Sequence, residues 1–219
     1  MPMRFEPKTA ILPPAQREIW PQLAPAPGLS YVLYGGTAIA LHLGHRQSLD
    51  FDFFTAGPLN KTRLASAFSF MSSASTVQED PQTWVVSAGS SSAPVKVSFF
   101  GAINLGHVNA PLRTADDVLL VASLDDLMAT KLKVILDRAE AKDYHDIAAL
   151  LQAGVSLEHS LGAFKAMFAK DAALPLRALG YFKDGDLATL PESEQAILRA
   201  ARDRVTTIPK ISLLPGLLS

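Results

Sequence analysis

The chain has 219 residues and 23.5 kDa, with 48% hydrophobic residues and a formal net charge of −1. That length allows one generous domain or two small ones with a real core, and a pI near 6.5 excludes a global basic field, so any nucleic-acid contact has to come from a local patch. Zero cysteines exclude disulfides, thiolate nucleophiles and Cys-ligated zinc, and fit a reducing compartment. No apolar run approaches the roughly 18 residues of a membrane span, and the start at Met1 lacks the apolar stretch of a signal peptide, so the expectation is a cytoplasmic protein without a membrane partner.

In chain order, Pro13 to Leu23 reads as a short outer helix with proline in its first turn, after which Pro25 and Pro27 force an extended link. Tyr31 to Tyr34 is a buried strand stopped by Gly35-Gly36, and Thr37 to Leu43 a helix ended by Gly44. Ser48 to Phe54 alternates polar with apolar and reads as a second strand, with Leu49, Phe51 and Phe53 on its apolar face; Leu59 to Phe70 suits a crossover helix. Ser69 to Ser75, followed by Val77 and Glu79-Asp80-Pro81, reads as a loop leading to a strand at Trp84-Val85-Val86, which pairs as a hairpin with Val95–Phe100 across the turn residues 88–94. Strands dominate to about Leu120. Beyond Ser123, helical patterns at 123–138, 142–152, 157–169 and 191–206 take over, which puts a boundary near 121.

Several residues have chemistry to offer. Glycines between a strand and a helix bring backbone close to a ligand, and a helix N-terminus offers unpaired N–H groups to phosphate oxygens, so Gly35, Gly36 and Thr37 form a candidate phosphate cradle, although such a turn serves equally as a plain tight turn. Asp50 and Asp52 stand two apart on a strand, hence on one face and roughly 6.6–7 Å apart, a spacing that suits shared magnesium ions. An amphipathic strand with its acids in solvent is the alternative; the preceding Gly-Gly-Thr and Arg46-Gln47-Ser48 favour the metal. On the helix at 123–138, Leu124, Leu127, Met128, Leu132 and Ile135 form a stripe that also carries Lys131 and Arg138, whereas Lys133 points away. Cations facing inward need carboxylates or ligand phosphates, unless they snorkel from the stripe edge. Asp143 and Asp146, beside the stripe Tyr144, Ile147, Leu150 and Leu151, either cap their helix or pair with Arg138 and Lys142, and a functional role is compatible with both. His42 and His45 have no third ligand at metal spacing, and no nucleophile elbow, Walker lysine or complete dinucleotide fingerprint is present.

Taken together, Gly35-Gly36-Thr37-Ala38, His45 to Phe54, Thr130-Lys131-Leu132 through Arg138, and Lys142-Asp143-Tyr144-His145-Asp146 resemble the AbiEii/AbiGii toxin nucleotidyltransferases of the DNA-polymerase-β-like superfamily. The resemblance runs from about residue 30 to 152. It implies an α+β fold: a mixed β-sheet flanked by helices over residues 1–121, then a helical region over 122–219 that completes the active-site cleft. It also implies Mg²⁺-dependent transfer of a nucleotidyl group from an NTP, in some members onto the 3′ end of tRNA, with a cognate antitoxin as partner. By the same resemblance Gly35, Gly36, Thr37, Arg46 and Ser48 hold the nucleotide, Asp50 and Asp52 bind the metal, and Lys131, Asp143 and Asp146 complete the catalytic set, with an acid of the last motif orienting or deprotonating the acceptor.

One position departs from the superfamily pattern. Many members carry a third metal-binding acid on the strand matching Val95 to Phe99, and here alternation offers only Lys96 or Ser98. Two other readings therefore stand beside the toxin-type enzyme: a non-catalytic nucleotide-binding or protein-interaction module that keeps the fold, and an enzyme acting on a small molecule such as an aminoglycoside.

Overall fold

The computed structural model describes residues 3–90, 92–216 and 218. They fall into two compact units, one of residues 1–105, 110–122 and 216–219, the other of residues 106–109 and 123–215. The first carries a mixed eight-stranded sheet, β1 (Arg4–Phe5), β2 (Val32–Tyr34), β3 (Asp50–Phe54), β4 (Ser75–Asp80), β5 (Thr83–Ser90), β6 (Ala93–Phe100), β7 (Leu112–Thr114) and β8 (Leu120–Val121), in the order β1-β7-β8-β2-β3-β6-β5-β4. Central β3 pairs antiparallel with β2 and parallel with β6. The fold is α+β, and three helices, α1 (Pro14–Ile19), α2 (Gly35–Leu43) and α3 (Lys61–Ala67), accompany the sheet.

The core of this unit is aromatic. Phe51 and Phe53 of β3 are fully buried and stack with each other, Phe53 stacks on Phe99, and Trp20 and Phe68 close the cluster. Alternation along β3 thereby turns Asp50, Asp52 and Phe54 to the opposite face, where Phe54 stacks on Tyr34 and meets Phe100 edge-on. Leu49 does not join Phe51 and Phe53: it precedes the strand and is 66% exposed.

Two strands have no signal of their own in the sequence. Strand β1 is only two residues long, and β4, Ser-Thr-Val-Gln-Glu-Asp, is exposed at every position because it forms the sheet edge and buries neither face, so the residues after Ser75 are strand where a loop was expected. The hairpin of β5 and β6 is present but tighter than the turn residues suggest, with strand continuing to Ser90 and resuming at Ala93; Ser91, part of the expected turn, lies outside the described residues. In place of one crossover helix, α3 is followed by a short 3₁₀ turn, Ser69–Ser72, and the Asn60 side chain caps α3 by accepting from Arg63 N–H at 2.9 Å.

The second unit is helical: α4 (Leu124–Val134), α5 (Ala141–Gln152), α6 (Leu157–Phe168), α7 (Ala173–Ala178) and α8 (Glu192–Arg204). Helix α4 starts at a reciprocal cap, in which the Ser123 oxygen accepts from Asp126 N–H while its hydroxyl donates to Asp126 Oδ2 at 2.6 Å. The same Asp126 takes the backbone N–H groups of Val108 and Asn109, which fastens that loop to the helix; burial nonetheless pushes its carboxyl above the ordinary range. Helix α4 ends at Val134, so Arg138 lies beyond it, after the turn at 135–137, and not on the helical stripe. No helix among the described residues is long and apolar enough to cross a membrane.

Candidate active site

The sheet unit gathers its candidates where β2 hands over to α2. Gly35 opens the helix at φ +78°, a left-handed conformation that suits glycine, and a Cβ at that position would stand 2.7 Å from Asp52 Oδ2. The carboxylate of Asp52 thus occupies the room that a missing side chain leaves, beside the first turn of a helix, where N–H groups lack intrahelical acceptors and the dipole favours negative charge. Gly36 follows in the same turn, half-buried. Thr37 is buried, and its hydroxyl donates to the Asp50 backbone carbonyl, tying α2 to β3.

Register decides which neighbours the acids have. In the parallel pair of β3 and β6, Asp50 lies opposite Lys96 and Asp52 opposite Ser98, so both residues share the acids' face. Lys96 Nζ sits 2.9 Å from Asp50 Oδ2 with the two side chains 45% and 40% exposed, whereas Ser98 is buried. One strand further, Ser87 faces Lys96 and Val85 faces Ser98. No third carboxylate completes the row, and among the described residues no group of three or more His, Cys, Asp or Glu side chains is placed to hold a metal. Arg46 and Ser48 lie on the connection between α2 and β3, half-buried, with Arg46 Nη1 donating to the Gln47 carbonyl at 2.8 Å. His42 contributes to packing: its ring stacks on Phe5, its Nε2 is 3.0 Å from the Ala122 carbonyl oxygen, and burial lowers its pKa against the smaller upward effect of that bond.

A half-open cavity of about 580 Å³ lies elsewhere in this unit, lined by residues including Tyr31, Thr55 and Asn60 just outside the other ends of β2 and β3. No carboxylate is among the described residues that line it. The paired carboxylates beside a left-handed glycine carry the chemistry that the cavity lacks.

In the helical unit, Lys131 of α4 inserts its ammonium between two carboxylates of α5, 2.6 Å from Asp143 Oδ1 and 2.7 Å from Asp146 Oδ2. Both aspartates are fully buried and the lysine side chain is 7% exposed. Arg138 adds Nε to Asp143 Oδ2 at 2.8 Å and Nη2 to Oδ1 at 3.2 Å, its own side chain 44% exposed. Burial pushes the Asp143 carboxyl up, but the hydrogen bond from Arg138 and the charge and hydrogen bond of Lys131 outweigh it and hold the group below the ordinary range. The inward cations therefore meet carboxylates, Arg138 from outside the helix and half-exposed. Lys133 turns away to Asp137, and Lys142 pairs with Glu140 instead of the α5 acids. Asp143 and Asp146 are not surface caps: they form the buried half of an ion cluster.

A mixed sheet with this acid pair beside a glycine turn, together with a helical unit, defines a nucleotidyltransferase-like α+β protein, and the solved structures agree. A Helicobacter pylori protein assigned as a nucleotidyltransferase superposes with a TM-score of 0.51 at 17% identity, over 86% of this chain and 90% of that one. MenT4, the nucleotidyltransferase toxin Rv2826c of Mycobacterium tuberculosis H37Rv, superposes with a TM-score of 0.53 at 13% identity, over 84% and 81%. In sequence, the uncharacterized protein aq_aa25 of Aquifex aeolicus (strain VF5) is 26% identical over 158 residues, 70% of this chain and 74% of its own. The family profile described as nucleotidyl transferase AbiEii toxin, type IV toxin–antitoxin system, matches residues 23–210. The chain belongs to that family, and so to a class of transferase enzymes that act on a nucleotide substrate and are countered by an antitoxin.

Proposed function

We propose that the protein transfers a nucleotidyl group from an NTP to an acceptor hydroxyl with the help of Mg²⁺, and that Asp50 and Asp52 with the Gly35 turn form the reaction centre. The observation that carries this reading is the placement of both acids on one face of β3 with Asp52 packed into the space that a side chain at Gly35 would fill. The donors fit a hard cation: two carboxylates are a usual protein share for Mg²⁺, which takes its other ligands from waters and substrate phosphates, and enzymes of this family generally use a divalent metal. Bound there with the nucleotide, the ion would supply charge to the phosphates and lower the pKa of the acceptor hydroxyl. Asp50 and Asp52 would hold it, and the first-turn N–H groups of α2 would take phosphate oxygens. The acceptor oxygen then displaces pyrophosphate at the α-phosphorus. Asp143 serves as an anchor of Lys131, because a fully buried carboxylate held below its ordinary range and bonded to two cations is a poor proton acceptor, and the equally buried Asp146 holds the same ammonium from its other side. The partial exposure of Asp50 favours a large acceptor over an enclosed small molecule, and the 3′ end of tRNA is the acceptor we favour, in the cytoplasm and under control of a cognate antitoxin.

Incubation with α-labelled NTPs, Mg²⁺ and either total tRNA or an aminoglycoside panel tests this. Wild type is expected to label tRNA, and Asp50→Ala/Asp52→Ala to lose at least about 10³-fold of that rate, in line with the removal of the groups that hold the charge-stabilising ion. Labelling that survives the double substitution rejects this centre. Labelling of the aminoglycosides alone rejects the acceptor.

A further inference from the structure

We infer that Lys96 is a counter-ion built into the reaction centre, which holds Asp50 until a nucleotide arrives and then moves onto the triphosphate, so that the acid pair takes up its metal only together with the nucleotide. The inference rests on the reading of Asp50 and Asp52 as metal ligands and adds a residue to it.

Three observations lead there. First, the register fixes the Lys96 backbone directly opposite Asp50 on the same face, so the lysine stays beside the acid pair whichever anion its ammonium turns to. Second, the pair is made, at 2.9 Å, by side chains that are both close to half-exposed, which leaves the lysine free to exchange Asp50 for another anion at low desolvation cost. Third, the acid's row across β6 and β5 contains Lys96 and Ser87, and the row of Asp52 contains Ser98 and Val85, so the strand that could have offered a further carboxylate offers a cation.

The electrostatics follow. A divalent ion bound by Asp50 without nucleotide would compete with the ammonium for the same oxygen and sit beside a like charge, both unfavourable. A triphosphate reverses the balance, since it brings several negative charges, satisfies the displaced ammonium through charge-assisted hydrogen bonds and supplies the remaining metal ligands. Lys96 would thereby replace, at this position, part of the positive charge that a third acid would otherwise recruit as metal. Lysine suits the role as a compact point charge on a flexible stem.

Mn²⁺ titrated by its free-ion EPR signal, with and without an α,β-methylene nucleoside triphosphate that cannot release pyrophosphate, reads this out without turnover. Wild type is expected to bind Mn²⁺ weakly alone and roughly tenfold or more tighter with the analogue, Lys96→Met to bind Mn²⁺ alone several-fold tighter while losing roughly tenfold in affinity for the analogue, and Lys96→Arg to stay close to wild type in both. The side chain is exposed, so these variants should fold, which circular dichroism confirms. A Lys96→Met protein whose two affinities both remain within about twofold of wild type overturns the inference, as does a Lys96→Arg protein that behaves like Lys96→Met. If Asp50→Asn/Asp52→Asn leaves Mn²⁺ uptake with the analogue unchanged, the acid pair itself is not the metal site, a failure distinct from that of Lys96.

Discussion

Asp50 and Asp52 on β3 and Asp143 and Asp146 on α5 are built from the same residue types, each pair with a lysine within 3 Å, yet they stand in opposite environments. Around Asp50 the side chains of the ion pair with Lys96 are nearly half in water. Around Asp143 and Asp146 the carboxylates are fully buried and Lys131 is shared between them, with Arg138 closing the set. Exposure decides what each pair can do. A water-facing carboxylate can exchange a lysine for a metal or a phosphate-bearing partner, whereas a buried one that loses its cation has nowhere to place its charge. The sheet unit therefore holds acids ready for ligands, and the helical unit holds acids that fix a lysine.

The largest effect on stability should come from the buried cluster. Lys131→Met leaves two buried carboxylates short of a cation and should cost about 3–5 kcal/mol, read by urea unfolding followed by helical circular dichroism. Lys131→Met/Asp146→Leu, which keeps the Arg138–Asp143 pair, should recover most of that loss. The penalty should also depend on pH. Because Asp143 has its folded pKa depressed, it contributes stability above the ordinary carboxylate pKa of about 4 that is lost as pH falls through its folded value, so the gap between wild type and Lys131→Met should narrow in acid. Asp126 has the opposite sign: burial raises its pKa, so its ionisation costs stability as pH climbs past the ordinary range. A Lys131→Met protein as stable as wild type at neutral pH would place the two acid pairs on the same footing and break the contrast.

Gly35→Ala probes the other side of the comparison. An alanine at φ +78° costs roughly 1–2 kcal/mol in backbone strain, and its methyl would need the space held by Asp52 Oδ2. The loss in nucleotidyl transfer should far exceed the loss in stability, about 10²-fold for a displacement of about 1 Å at a reacting group. Equal, small losses in both would mean that the position of Asp52 does not matter to the chemistry.

How much of this was legible in the sequence follows from the same contrast. Alternation in Asp50-Phe51-Asp52-Phe53 shows which residues share a face, because Phe51 and Phe53 must be buried, and helical projection picks Lys131 over Lys133 for the same reason. Edge strand β4 was illegible because burial leaves no pattern where there is none. Helical projection puts Arg138 on a stripe that ends at Val134, although it correctly offers Asp143 as the partner. Neither the full burial of Asp143 and Asp146 nor the approach of Asp52 to Gly35 has a local sequence signature, since both depend on contacts between separate elements. The pairing of Lys96 with Asp50 depends on strand register, which alternation narrows to one face and only the parallel ladder fixes.

Thr37 gives the smallest effect and the finest discrimination. Its position after two glycines fits a phosphate ligand, but its buried hydroxyl donates to the Asp50 carbonyl and so acts on the acid through the backbone of β3. Thr37→Val keeps the shape and removes one hydrogen bond from a partly buried carbonyl, at a cost of about 1 kcal/mol in stability. If the hydroxyl only anchors the strand, Thr37→Ser restores stability, and KM for the NTP stays within about twofold in both variants, since uniform ground-state binding is untouched. A KM that rises roughly tenfold in Thr37→Val and returns in Thr37→Ser would instead put the hydroxyl on the nucleotide during turnover, and would mean that the bond to Asp50 is exchanged when substrate binds, as is inferred for Lys96.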